Sequence, residues 1–394
     1  MSELLSAFHT HLAQTSPFPI ALDIVGAEGC HITARNGQQY LDLVAGLAVN
    51  NVGHRHPKVV AAIKEQADRY LHVIPYGEFL QAPQVLLAER LASVLPESLN
   101  CTYFVNSGTE ANEAALKLAK RITGRTKLVA CHKSYHGSTH GSLSITGNEE
   151  KKYRNRPLLP DVHFMRFNVA EDLDMIDART AAVVVEPVQG DAGVRIPGAA
   201  WMHALRARCT AVGAMLIFDE VQTGFGRTGK LFAFGHFGVV PDILVLGKAI
   251  GGGMPMGAFV SAAEHMRLLT HDPVLGHITT FGGHPVNCAA GLAALEVLLE
   301  EGMVENALRM GELFKELLVH PAIGEVRGTG LMLAVDLGDA GKVQRVVQGC
   351  LQRGVLGFWF LSCPTAFRIA PPLCITEELV RGACAAITQE LDRL

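Results

Sequence analysis

No Cys-x-x-Cys pair occurs in this chain, and its nine cysteines are an odd number scattered over the whole length. That usage fits buried thiols in a reducing compartment better than a disulfide framework or a zinc site. No stretch of about eighteen apolar residues is present, so no membrane-spanning helix is expected. Met1 to Thr10 lack a basic segment followed by an apolar one, which speaks against a secretory leader. A cytoplasmic protein is the expectation. The net charge is only −4, and no run of Lys and Arg alternates with aromatics, so a nucleic-acid face is excluded. The chain lacks GxxxxGK[ST], and no GxGxxG follows its first strand-like run, which speaks against a nucleotide or dinucleotide binder. No repeat, linker run or low-complexity tract breaks it.

What remains is 394 residues with 49% hydrophobic content, 18% charged and 40 glycines, the composition of an α/β protein with a large core. Two domains, or one with a satellite, are expected. Its chemistry concentrates between Gly213 and Gly253. Met215-Leu216-Ile217-Phe218 closes on Asp219-Glu220, and Ile243-Leu244-Val245-Leu246 delivers Gly247-Lys248. Both runs read as buried strands of a parallel sheet. Asp219 and Lys248 then stand at the sheet's carboxyl edge, where open α/β folds bind ligands.

A lone lysine after a strand is usually solvated, and a lone aspartate is usually a turn former. Lys248, however, has Leu246-Gly247 before it and Ala249-Ile250-Gly251-Gly252-Gly253 after it, with no polar neighbour to keep it hydrated. Desolvation favours the neutral, nucleophilic amine, which can form a Schiff base with an aldehyde. A buried aspartate opposite the ring nitrogen is what pyridoxal phosphate needs to remain an electron sink.

Other stretches prepare the same edge. Tyr103-Phe104-Val105 runs into Asn106-Ser107-Gly108-Thr109-Glu110-Ala111-Asn112-Glu113, after which Ala111, Ala114, Ala115, Leu118 and Ala119 trace one helix face. A strand, a Ser-Gly-Thr turn and a helix start make a phosphate cradle, although Ser107 could alone be an N-cap. Asn36-Gly37 signals a hairpin between His31-Ile32-Thr33 and Tyr40-Leu41. Helical spacing covers Pro57 to Val73 and Pro83 to Leu95. Strands are predicted at Lys127–Ala130, Val162–Phe167, Ala182–Val185 and Ala258–Val260, and a long helix from Asn287. His132, His136 and His140 are four apart, but Gly137 and Gly141 interrupt them, so a loop rather than a metal-binding helix face is expected.

LIFDEVQTGFGRTG followed by ILVLGKAIGGGMPMGA resembles the class III aminotransferases, as does NSGTEANE, and the likeness runs over nearly the whole chain. The resemblance implies pyridoxal 5'-phosphate as cofactor and the fold type I transferase architecture: a large domain with a mostly parallel sheet flanked by helices, plus a smaller α+β domain. The N-terminal part of the small domain would be 1–50, the large domain 51–290, and the remainder 291–394.

It implies roles as well. Lys248 and Asp219 are catalytic. Ser107, Gly108 and Thr109 hold the phosphate, Tyr135 stacks on the ring, Gln222 meets its phenolic oxygen and Glu186 lies nearby. Thr280 reaches the phosphate of a neighbouring subunit in a homodimer with shared sites. Arg368 is the carboxylate clamp, with Asp191 able to pair with it where many members have glutamate. At Leu47, ornithine enzymes carry tyrosine and acetylornithine enzymes an aliphatic residue; Leu47 could equally be core. At Ser138 the relatives carry an arginine that grips a substrate carboxylate, and a serine cannot hold that charge. The implied reaction is ping-pong transfer of an amino group from an amine or amino acid to a 2-oxo acid such as 2-oxoglutarate. An amino-group mutase or racemase is the alternative on the same fold, separated by stoichiometric nitrogen transfer to an added oxo acid. A nucleotide-binding protein, the alternative from another class, would not turn yellow with pyridoxal phosphate.

Overall fold

A computed structural model describes residues 3–394. Near the start, β1 (Ile24–Glu28), β2 (His31–Ala34) and β3 (Gln39–Asp42) form an antiparallel meander, with the Asn36-Gly37 turn between the second and third strands. Gly37 takes φ +83°, the left-handed conformation that this turn demands.

Seven strands build the central sheet: β4 (Cys101–Val105), β5 (Lys127–Cys131), β6 (Val162–Met165), β7 (Thr180–Val185), β8 (Met215–Asp219), β9 (Ile243–Leu246) and β10 (Gly257–Ser261). Their order is β4-β10-β9-β8-β7-β5-β6. Every neighbouring pair is parallel except those of β10, which runs antiparallel to both β4 and β9. β4 therefore points the same way as β9. The carboxyl ends of β4, β5, β7, β8 and β9 all emerge along one edge.

The pleat sends successive residues to opposite faces. Ile217 of β8 joins a core with Ala111, Ala114, Ala115, Leu118 and Ala119, the helix face legible in the sequence. Leu216 and Phe218 join the larger core on the other face with Trp201, Met202 and Leu205. With both faces covered, β7, β8 and β9 are buried throughout, which is why they read as unbroken apolar runs. The small side chains of the Gly108–Thr123 helix let it lie close against the sheet, so its first turn reaches the edge where the strands end.

The last third contributes β11 (Glu325–Thr329), β12 (Met332–Asp336), β13 (Val355–Leu356), β14 (Phe358–Trp359) and β15 (Ala366–Ile369). β13 adds to β3 in parallel, and the others form an antiparallel sheet of order β11-β12-β15-β14. The Pro285–Glu300 helix runs unbroken from the central sheet into this part of the chain. Arg227, fully buried, fastens the regions together: Nη1 donates to the carbonyls of Leu331 (2.9 Å) and Pro371 (2.6 Å), and Nη2 donates to Asn51 Oδ1 (2.6 Å).

Candidate active site

At the edge where the parallel strands end lies a cavity of about 560 Å³. Its wall includes Ser107, Gly108, Thr109, Tyr135, Ser138, Glu186, Asp219, Gln222 and Lys248, residues drawn from five separate strand-end loops. Sequence separations as large as that between Ser107 and Lys248 close here because each loop follows a strand of one sheet.

Asp219 is buried and held by three donors. Asn112 Nδ2 (2.8 Å) and His136 Nδ1 (2.7 Å) donate to Oδ2, and the Val221 backbone N–H donates to Oδ1 at 3.0 Å. An ionised carboxylate offers about four acceptor positions, so one on Oδ1 is open toward the cavity. Burial lowers the His136 pKa, but the hydrogen bond and charge of Asp219, helped by Glu186, outweigh it and the net shift is upward.

Lys248 follows β9 through Gly247 and adopts φ +49°, a left-handed conformation that a side chain adopts at a cost of roughly 1–2 kcal/mol. Such strain is sustained where the surrounding structure fixes it, and it turns the side chain into the cavity. Among the described residues no hydrogen-bonding or ion-pair partner meets the amine. Desolvation pushes its pKa down, against the opposing pull of Asp219 and Glu186, toward the neutral nucleophile.

Ser107 is the N-cap of the Gly108–Thr123 helix and accepts from the Glu110 N–H at 3.3 Å. Glu110 Oε2 reaches back to the Asn106 N–H at 2.7 Å, a variant of the capping box. The first-turn N–H groups of Gly108 and Thr109 have no intrahelical acceptor and line the cavity, as an anion site requires. β10 closes the cradle from the side. A Cβ on Gly257 would stand 2.1 Å from the Ser107 carbonyl oxygen, so only glycine fits.

The remaining residues sort by distance from this centre. Glu186 is buried, accepts from the N–H groups of Tyr135 (3.1 Å) and Gly190 (2.9 Å), and is pushed up to about 7 by desolvation. Gln222 faces Gly190 so closely that a Cβ there would meet its Oε1 at 2.3 Å. Tyr135 is 38% exposed, open to the cavity, with its hydroxyl 3.2 Å from Ser138 Oγ. Asp191 and Arg368 lie outside the cavity wall but act on the charge of Lys248, and they pair at 3.6 Å. Arg368 is buried on β15 with its guanidinium 4.6 Å from the Phe360 ring centre. Leu47 is 43% exposed and off the cavity wall; Val49 of the same segment lines it. Thr280 is exposed in its loop and does not reach the cavity of a single chain.

Three further participants had no assignment from the sequence. Asn112 and His136 orient Asp219, and Lys151 bonds Asp191. The Asn in NSGTEANE and the His in the Tyr135-His136-Gly137 turn are the signals available for the first two; Lys151 sits in a charged turn that carries none. His132 and His140 make no metal cluster with His136: among the described residues no group of three or more His, Cys, Asp or Glu is placed to hold a metal ion.

An aldehyde-bearing, phosphorylated pyridine fits this donor set. It would find an unpartnered amine, a carboxylate with one acceptor position free and a helix start with two free N–H groups. The fold and site thus define a pyridoxal-phosphate-dependent transferase.

The class-III aminotransferase family model matches residues 13–391. The acetylornithine aminotransferase of Methanopyrus kandleri is 41% identical over 394 residues, covering 99% of this chain and 98% of its own. That of Mycobacterium tuberculosis is 42% identical over 380 residues, covering 95% and 92%. Among solved structures, the ornithine aminotransferase of Toxoplasma gondii, with PLP at partial occupancy in its active site, matches with TM-score 0.92 and 30% identity over 99% of this chain and 93% of that one. The chain belongs to the class-III aminotransferases, and it is a pyridoxal-phosphate-dependent aminotransferase.

Proposed function

We propose that this enzyme moves the amino group of an ω-amine carrying a carboxylate, of the acetylornithine or ornithine kind, to 2-oxoglutarate. The observation that carries the reading is the half-buried, desolvated Lys248 amine without a hydrogen-bond partner among the described residues, on the same cavity wall as an Asp219 carboxylate with one acceptor position free. The acetylornithine aminotransferases similar to it support the donor class.

The bound cofactor supplies an aldehyde for the amine and a protonated ring that delocalises the electron pair left on the substrate carbon. Lys248, its pKa pushed down by desolvation, would hold the cofactor through its amine and, when that amine is free, would serve as the base and acid that moves the proton on the substrate carbon. Asp219, fixed by Asn112 and His136, keeps the ring nitrogen protonated. Ser107, Gly108 and Thr109 bind the phosphate, Tyr135 covers the ring face, and Gln222 bonds the phenolic oxygen. Glu186, held by two backbone N–H groups, stays close enough to bias Lys248. Arg368 binds the acceptor's carboxylate when Asp191 releases it.

The working unit in this reading is a homodimer in the cytoplasm, with Thr280 completing the partner's phosphate site and Leu47 at the entry. Exposed Leu71, Val73, Ile74, Phe79 and Leu80 support it, as does Phe281, whose ring lies 4.9 Å from that of His72. The division 1–50 and 291–394 against 51–290 is supported by the β3–β13 pairing. The test is a panel of α- and ω-amines with 2-oxoglutarate and pyruvate as acceptors. Stoichiometric glutamate from a carboxylated ω-amine is expected; rearranged or racemised donor without nitrogen transfer would refute the reading.

A further inference from the structure

Ser138 leaves open which cation meets the donor's carboxylate, and the answer lies on the short turn Glu149–Lys151. Lys151 and the residue that follows the turn, Lys152, diverge. Lys152 is absorbed structurally: Nζ donates to the Thr146 carbonyl at 2.8 Å and sits 3.9 Å from the centre of the Phe164 ring. Lys151 turns toward the active site. Its Nζ lies 4.6 Å from the centre of the Tyr135 ring and donates to Asp191 Oδ2 at 2.9 Å. Ser138 Oγ and Lys151 Nζ therefore meet on one aromatic residue, the serine at its hydroxyl and the ammonium over its face.

Asp191 is also shared. Besides Lys151 it accepts from Ser362 Oγ (2.7 Å) and the Leu361 N–H (3.2 Å), and its Oδ1 pairs with Arg368 Nη2 at 3.6 Å. Two cations thus converge on one carboxylate, an arrangement with a surplus positive charge beside the cavity. Arg368 is the buried one; the Lys151 side chain is 21% exposed and on a flexible stem, so an arriving anion meets it first. Asn148 Nδ2 ties the Lys151 turn to Ser362 at 3.0 Å, and the Lys151 ammonium stands over Tyr135, a residue of the cavity wall.

We propose that Lys151 is the carboxylate receptor for the amino donor, taking from across the Tyr135 ring the part that the relatives give to an arginine at the Ser138 position. The assignment rests on the donor reading above. The two cations divide the half-reactions: Lys151 serves the donor's carboxylate, Arg368 the acceptor's.

The experiment compares matched donors on the cofactor-loaded enzyme: ornithine and N-acetylornithine against 1,4-diaminobutane and its monoacetyl derivative, which lack the carboxyl group. For Lys151→Ala, the preference for the carboxylated donor in kcat/KM is expected to fall about 10- to 100-fold, the value of a charge-assisted bond, carried mostly in KM. Lys151→Arg restores the greater part of it. Melting temperature and the absorbance of the bound cofactor confirm that the variant folds and loads. A variant whose preference is unchanged, whose two donors weaken in equal proportion, or whose KM for 2-oxoglutarate rises instead, overturns the assignment alone. A parent enzyme that transfers from none of these amines overturns the donor reading, and this assignment with it.

Discussion

His136 Nδ1 stands 2.7 Å from Asp219 Oδ2, both side chains buried, and Asn112 donates to the same oxygen at 2.8 Å. The carboxylate's direction is set by these two residues before any cofactor arrives. Asp219→Asn removes the charge while keeping the shape. We expect kcat to fall by about 10²–10³-fold, as when one preorganised electrostatic partner is lost, with the cofactor still bound. Steady-state rates alongside the visible spectrum check this. A variant with unchanged kcat would remove Asp219 from the chemistry.

Gly257 admits no side chain because its Cβ would overlap the Ser107 carbonyl. Gly257→Ala must push the phosphate cradle aside, costing about 1–3 kcal/mol as overpacking does. Titration with pyridoxal phosphate should give a weaker Kd than for the parent, whereas an equal Kd would place the phosphate elsewhere.

Glu220 is fully buried and pushed up to about 7 by desolvation, although Thr223 and the Ala233 and Phe234 N–H groups favour its charged form. The folded state therefore keeps this proton at a pH where the unfolded chain, near the ordinary value of 4.5, has lost it. Stability contributed by the group is present below about 4.5 and declines as pH rises through 7, by about 3 kcal/mol in all. Glu220→Gln cannot titrate. The difference in stability between parent and variant, from urea melts at pH 5 to 8, should shift against the parent as pH rises. A difference that stays constant would mean that Glu220 is ionised throughout.

Arg227 bonds two carbonyls and Asn51 with no solvent access, and burial lowers its pKa to about 9. Arg227→Met leaves three buried acceptors short of a donor, and at about 1–3 kcal/mol each a loss of several kcal/mol is expected. Denaturant midpoints measure it. A loss below 1 kcal/mol would show that water replaces the guanidinium.

Much of the site was legible because it sits where strands end. Asp219 and Lys248 close apolar runs, Ser107 opens a helix, and buried parallel strands have no polar residues to blur those boundaries. The Ala111–Ala119 face was legible for the same reason, since a helix pressed on a sheet shows one small, apolar stripe. The direction of β10 was not, because an apolar run such as Ala258-Phe259-Val260 looks the same in either orientation; only its pairing with both β4 and β9 reveals it. Asn112 and Asp219 are 107 residues apart, and Asn51 and Arg227 176, so their bonds exist only once strand order is known. Lys151 lies in the charged stretch Asn148-Glu149-Glu150-Lys151-Lys152, where no spacing or neighbour points to a site. Its partner Asp191 comes from the loop after another strand, and no local pattern announces that.

In the proposed reaction Lys248 alone anchors the cofactor. Borohydride reduction of the cofactor-loaded enzyme fixes the linkage, and peptide mass mapping then locates the pyridoxyl mark. One mark is expected, on the peptide containing Lys248, and none in Lys248→Ala; a mark on any other lysine, or an active enzyme that carries no mark, would show that Lys248 is not the anchor.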